Sequence, residues 1–185
     1  MANYKSICRT ALIAALSDGT SGFNAALANL GPTYGIQPFY LEFALPSKNV
    51  VYGFLTPEDV DISEIWEYPG AVIYSTESVE EHRIKPAVFS GFVDEHIDIY
   101  CVQRSIVGQN TGSNQPDFDG NYEKLPDAIE DAMSEAIKRP AGRAITAAYG
   151  VNNVEYKVTR DPIEPVGDGY IQRVAFTLGM VVTVQ

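Results

Sequence analysis

Basic residues are scarce in this chain: 13 Lys and Arg stand against 24 Asp and Glu, giving a formal net charge of −11. Phosphate contacts need clustered Lys and Arg, so this balance argues against nucleic-acid binding and against docking on an anionic membrane surface. Cysteine is nearly missing. Cys8 falls in an apolar helical stretch and Cys101 in an apolar strand, so both are expected as buried free thiols. No Cys/His pair has zinc-site spacing. No apolar run approaches the roughly 20 residues of a membrane span. The start, Met-Ala-Asn-Tyr-Lys-Ser, lacks the charged region, apolar run and cleavage site of a secretory signal, so synthesis inside the cell is expected.

What is present suits one well-filled core: 185 residues, of which 45% are hydrophobic. The clearest signal is the last stretch, Gly169 to Gln185. Tyr170, Val174, Phe176, Leu178, Met180, Val182 and Val184 alternate with Arg173, Thr177, Thr183 and Gln185, with Ile171 and Val181 as apolar exceptions. Alternation of this kind predicts a strand with one face on a core and the other free for a partner. Most strands run about five or six residues, so the length of this one suggests an exposed working surface. Val154 to Arg160 alternates too, and an antiparallel hairpin with the last strand is the simplest pairing.

Elsewhere the pattern predicts a helix from about Tyr4 to Leu16, stopped by Asp18-Gly19. A second, short helix is expected over Phe23 to Leu30, bracketed by Gly22, Gly31 and Pro32. Gln37 to Leu45 and Val50 to Leu55 read as edge or capping strands, because Pro38, Pro46 and Pro57 interrupt the region. Ala71 to Tyr74, Ala87 to Val93 and Asp94 to Arg104 read as strands, with Thr76 to Lys85 as a charged connection. The acidic group Glu58, Asp59, Asp61, Glu64 and Glu67 reads as a solvated face on a short amphipathic turn or helix. Gly108 to Asn121 is a long polar loop, of the kind that is either disordered or functional. Pro126 to Lys138 is the best helix, with acidic residues in its first turn and Pro140 as its stop. Asp161 to Gly169 is a Pro- and Gly-rich connection. The expected fold is α+β: a single domain over residues 1–185, a mostly antiparallel twisted sheet with two main helices packed on one face. Residues 18–70 would be an insertion or variable region and 108–121 a flexible loop.

Motifs for chemistry are lacking. Asp94, His96 and Asp98 share a strand face and could hold a metal, but a solvated polar face explains them better. There is no Gly-x-Ser-x-Gly elbow, no phosphate-binding Gly-rich loop, and no carboxylate pair that stands out. No enzyme activity, cofactor or metal is expected.

The order of elements resembles the tail terminator, or tail-completion, proteins of tailed bacteriophages, the group that includes minor tail protein U. The carriers are the opening helix with Ala11-Leu12-Ile13-Ala14-Ala15-Leu16, the strands from Ala71 to Arg104, the helix at Leu125 to Lys138, and the ending Tyr170 to Gln185. Residues 18–70 depart from the plan, where a short link joins first helix and first strand. The resemblance implies a virion protein of the tail or neck: a ring, expected to be hexameric, that caps the tail tube, ends its polymerisation and joins the tail to the head-side connector. Implied partners are further copies of itself, the tail tube protein, a connector or neck protein and, in a contractile tail, the sheath. An acidic lumen would keep passing DNA from adhering. Candidate subunit-interface residues are Gln109, Asn110 and Phe118 on the long loop and Arg173 and Thr177 on the last strand. The alternatives are another neck, head-closure or tube component, and a non-viral acidic ligand-binding domain or enzyme.

Overall fold

The computed structural model describes residues 3–36, 38–44, 47–53, 70–76, 80–85, 88–104, 121–166 and 169–184. Its elements run α1 (Tyr4–Ser17), α2 (Phe23–Tyr34), β1 (Val50–Gly53), β2 (Gly70–Ser75), β3 (Glu80–Lys85), β4 (Val88–Arg104), α3 (Asn121–Lys138), α4 (Pro140–Ala148), β5 (Val151–Arg160), β6 (Glu164–Val166) and β7 (Gly169–Val184). The acidic group at 58–67 and the loop residues 108–120, including Gln109, Asn110 and Phe118, lie outside the described residues. Among those described, no helix is long and apolar enough to cross a membrane.

The alternation at the chain's end folds as the pattern predicts. Val174, Phe176, Leu178, Met180 and Val182 of β7 are fully buried. The expected antiparallel pairing of 154–160 with this strand is present, β5 with β7, and β7 lies inside the sheet. Order across the sheet is β1-β2-β4-β7-β5, with β3 also on β4 and β6 also on β7. β7 pairs with β4 without a break from Phe89↔Val184 to Arg104↔Gly169. On its other side it pairs with β5 and β6. Both edges of β7 are therefore occupied within the chain, and its length serves the sheet's own centre rather than a free edge. All pairings are antiparallel except β1 with β2, which is parallel. The fold is thus α+β with a mostly antiparallel sheet.

The helices cover one face. Cys8, Leu12 and Leu16 of α1, Phe23 and Leu27 of α2, and Ile129, Met133 and Ile137 of α3 join the even-numbered side chains of β7 in one core with Val93, Ile97, Ile99 and Cys101 of β4. Both cysteines are buried free thiols, and burial pushes Cys101 up to about 12. The described part of residues 18–70 packs into the centre, since Phe23, Leu27, Leu41, Phe43 and Val50 all belong to this core.

Several boundaries differ from the sequence reading. α1 ends at an Asp18 turn, not through a left-handed Gly19: Asp18 Oδ1 accepts from the Ser21 N–H at 2.7 Å and the Thr20 N–H at 3.0 Å. α2 runs past Gly31 and Pro32 to a left-handed cap at Gly35 (φ 68°), because one missing donor near the last turn does not end a helix. Residues 38–44 form no strand. Asn24 holds them instead, its amide bonding both N–H and C=O of Leu41 at 2.9 and 2.8 Å. The charged 76–85 connection contains β3, which pairs with the start of β4. The two strands expected at 87–93 and 94–104 are one, β4, 17 residues long. The connection before β7 contains the short β6.

Two helices also differ. α3 begins at Asn121, in place of the last residue of the expected loop, and carries Pro126 inside. Pro140 starts α4 rather than merely stopping α3, since proline suits a first helical turn. The chain turns so tightly there that a Cβ on Gly142 would lie 1.9 Å from the Ala136 carbonyl oxygen. Gly142→Val is therefore expected to force the α3–α4 junction apart and cost about 1–3 kcal/mol, read by urea unfolding.

Candidate interaction surface on the open sheet face

The second sheet face belongs to the odd-numbered residues of β7 and the even-numbered residues of β4. Register lines these up in rows across four strands. One row is Tyr74, His96, Thr177 and Lys157; the next is Val72, Asp98, Ala175 and Thr159. No described helix contributes to the small apolar cluster on this side, which is Val72, Tyr74 and Tyr100 with Val51 and Ile171 packed against them.

His96 is the best-held polar residue of the face. Its ring stacks on Tyr74 with centroids 4.8 Å apart and planes 7° from parallel. Thr76 Oγ1 lies 3.0 Å from Nε2 and Thr177 Oγ1 lies 3.3 Å from Nδ1. Burial lowers its pKa, against the pull of Asp94. Between two hydroxyls the ring is held as a packing element, with both nitrogens occupied. Among the described residues no group of three His, Cys, Asp or Glu is placed to hold a metal.

One row away, Asp98 is almost wholly buried and ion-paired. Arg173 Nη1 donates to its Oδ2 at 3.2 Å, while Arg173 Nε donates to Asp161 Oδ2 at 2.7 Å. Burial raises the Asp98 carboxyl pKa; Arg173 opposes that rise and does not cancel it. Burial also works against the charge on Arg173, but the bond to Asp161 and the Asp98 charge outweigh it and hold its pKa above the ordinary value. Arg173→Ala leaves the Asp98 carboxylate buried without its cation. The expected result is a loss of about 1–3 kcal/mol and a further upward move of the Asp98 pKa, visible in an NMR titration of the carboxyl carbons.

Of the residues expected at a subunit interface, Arg173 and Thr177 lie on the face that no described helix covers, two rows apart, and both also bond within their own chain. Asp94, His96 and Asp98 do share that face, as the alternation implied, but Asp98 is spent on Arg173 and His96 on the two threonines.

Sequence reasoning missed a second polar group on the opposite, helix-covered face. Glu95 is fully buried and takes the Ser75 hydroxyl at 2.7 Å and Arg9 Nη2 at 3.2 Å. Arg9 reaches it from α1 and also bonds Ser75. The signal was available: Glu95 interrupts an alternation of Val93, Ile97 and Ile99 that otherwise points inward. A cleft of about 540 Å³ lies between α2 and the α3–α4 junction, lined by Ser21, Asn29, Leu30, Glu135, Arg139 and Pro140. It holds one exposed ion pair, Glu135 with Arg139, and the Ser21 hydroxyl, which donates to Asp18 Oδ1 at 2.8 Å. No protein-family model matches the chain.

Proposed function

We propose that this chain is a structural subunit of a tailed-bacteriophage virion, of tail-terminator type: copies assemble head to tail into a ring that caps the tail tube, ends its growth and meets the head-side connector. The observation that supports it best is the one-sided sheet. Described helices pack on one face; on the other, half-buried side chains are fixed by side-chain bonds, His96 to Thr76 and Thr177, and Arg173 to the buried Asp98. A surface built in this way is already rigid before contact, which lowers the ordering cost of docking. A head-to-tail ring needs two unlike contact surfaces on each subunit, and we assign these roles to the half-exposed β7 side of the second sheet face and the cleft by α2.

Tube polymerisation tests this directly. Tail tube protein from the same virion is assembled with and without the chain, and tube lengths are measured by electron microscopy. A terminator gives shorter, bounded tubes in proportion to the amount added. Unchanged lengths with the chain spaced along the tubes would instead identify a tube component, and no association at all would favour a ligand-binding domain.

A further inference from the structure

The outer edge of β5 is the longest strand edge left without a partner strand among the described residues. The Asp161 N–H donates to the Arg173 carbonyl at 3.0 Å. Alternation from that bond turns the odd-numbered backbone groups of β5 toward β7 and the even-numbered ones outward. A row of outward N–H and C=O groups is a template for another strand.

We propose that this edge pairs with β5 of a second copy, antiparallel, about a two-fold axis at Tyr156. A two-fold that continues the sheet keeps both helix-bearing faces on one side. Odd residues can then oppose only odd ones, and even only even. The register of β5 is regular from Asn153 to Arg160, so the axis passes near its middle. Centring on Glu155 would set two carboxylates face to face, and centring on Lys157 would set two ammonium groups together. Centring on Tyr156 places Glu155 opposite Lys157 of the second copy, and does so twice. Both side chains are exposed and lie on the face that no described helix covers, so they are placed to meet. Edge strands often carry charge to repel other strands; here opposite charges flank the axis and match.

A two-fold contact closes on itself. It holds free chains as pairs through the β5 edge, whereas the ring contacts are assigned to the β7 side of the second sheet face and the cleft by α2, so either can fail without the other. Sedimentation velocity of the full chain, with Glu155→Lys, Lys157→Glu and the double swap, tests it. The wild type is expected to run as a dimer. Each single variant, which sets like charges opposite, is expected to weaken association about tenfold, and the swap to restore it. Hydrogen exchange at the Tyr156 and Val158 amides is expected to slow as chain concentration rises. Thermal unfolding of the variants should match the wild-type monomer, since both positions are exposed. A wild type that stays monomeric at every concentration, singles that associate as well as wild type, or a swap no better than the singles would each overturn the pairing.

Discussion

Glu95→Ala is expected to lower the unfolding free energy by about 3–5 kcal/mol, because it leaves a guanidinium under α1 without its carboxylate. Glu95 has no exposed surface, and Arg9 is 13% exposed. Removing both charges together is a different experiment. Arg9→Met with Glu95→Met replaces the pair by apolar side chains of similar size, and is expected to be neutral or stabilising by about 1–4 kcal/mol. A double-mutant cycle in urea separates the two outcomes. If Glu95→Ala and the double variant lose the same stability, the pair has no energetic coupling.

The same carboxyl gives the protein an unusual pH dependence. Burial raises the Glu95 pKa, and its bonds to Ser75 and Arg9 offset only part of that. Asp98 is raised for the same reason. A carboxyl with a raised folded pKa stays protonated in the fold while the unfolded chain already ionises. Between the two pKa values the unfolded state binds fewer protons, so stability falls as pH rises through that window. The contribution is greatest below the ordinary carboxylate range. His96 acts oppositely, since its lowered pKa makes protonation costly to the fold and reduces stability as pH drops below the usual imidazole range.

The second large effect lies on β7. Phe176→Ala is expected to cost about 3–5 kcal/mol. Its ring is fully buried between Ile97 and Val158 in register and lies 5.8 Å from the Tyr156 ring. Thr177→Ala, one residue on, loses a single contact to His96 and is expected to cost about 1 kcal/mol or less. A comparison of the two by thermal or urea unfolding reads the strand's two faces directly. Equal losses would mean that the faces are not distinguished as described.

That contrast also shows why some of the fold was legible in the sequence. β7 alternates strictly where one face meets helices, so Phe176 and Thr177 sort themselves by pattern alone. β3 has no such pattern in its sequence, Glu-Glu-His-Arg-Ile-Lys, and its place comes from pairing with β4. Asp94-Glu95-His96 reads as a break between strands because three polar residues in succession do not suit a buried sheet. The strand continues because Arg9, from a helix some 85 residues earlier, supplies the missing charge. No local rule finds that partner. α4 was hidden by Pro140, which stops one helix and starts the next within a single residue.

The candidate surface was legible in the same uneven way. Strand alternation placed Arg173 and Thr177 together on the second face. It gave no sign that β4 and β5 would occupy both edges of β7, since edge occupancy depends on pairings between residues far apart in sequence. The long final strand is therefore evidence for an extended sheet, and what it leaves for a partner is the half-exposed β7 side of the second face and the outer edge of β5.

Where the chain sits on a tail tube decides the proposed function most directly. Tubes assembled with a gold-labelled chain and imaged by electron microscopy are predicted to carry label at one end only, with end-on averages showing a closed cyclic ring. Label along the tube walls, or none on the tubes, would contradict the terminator reading.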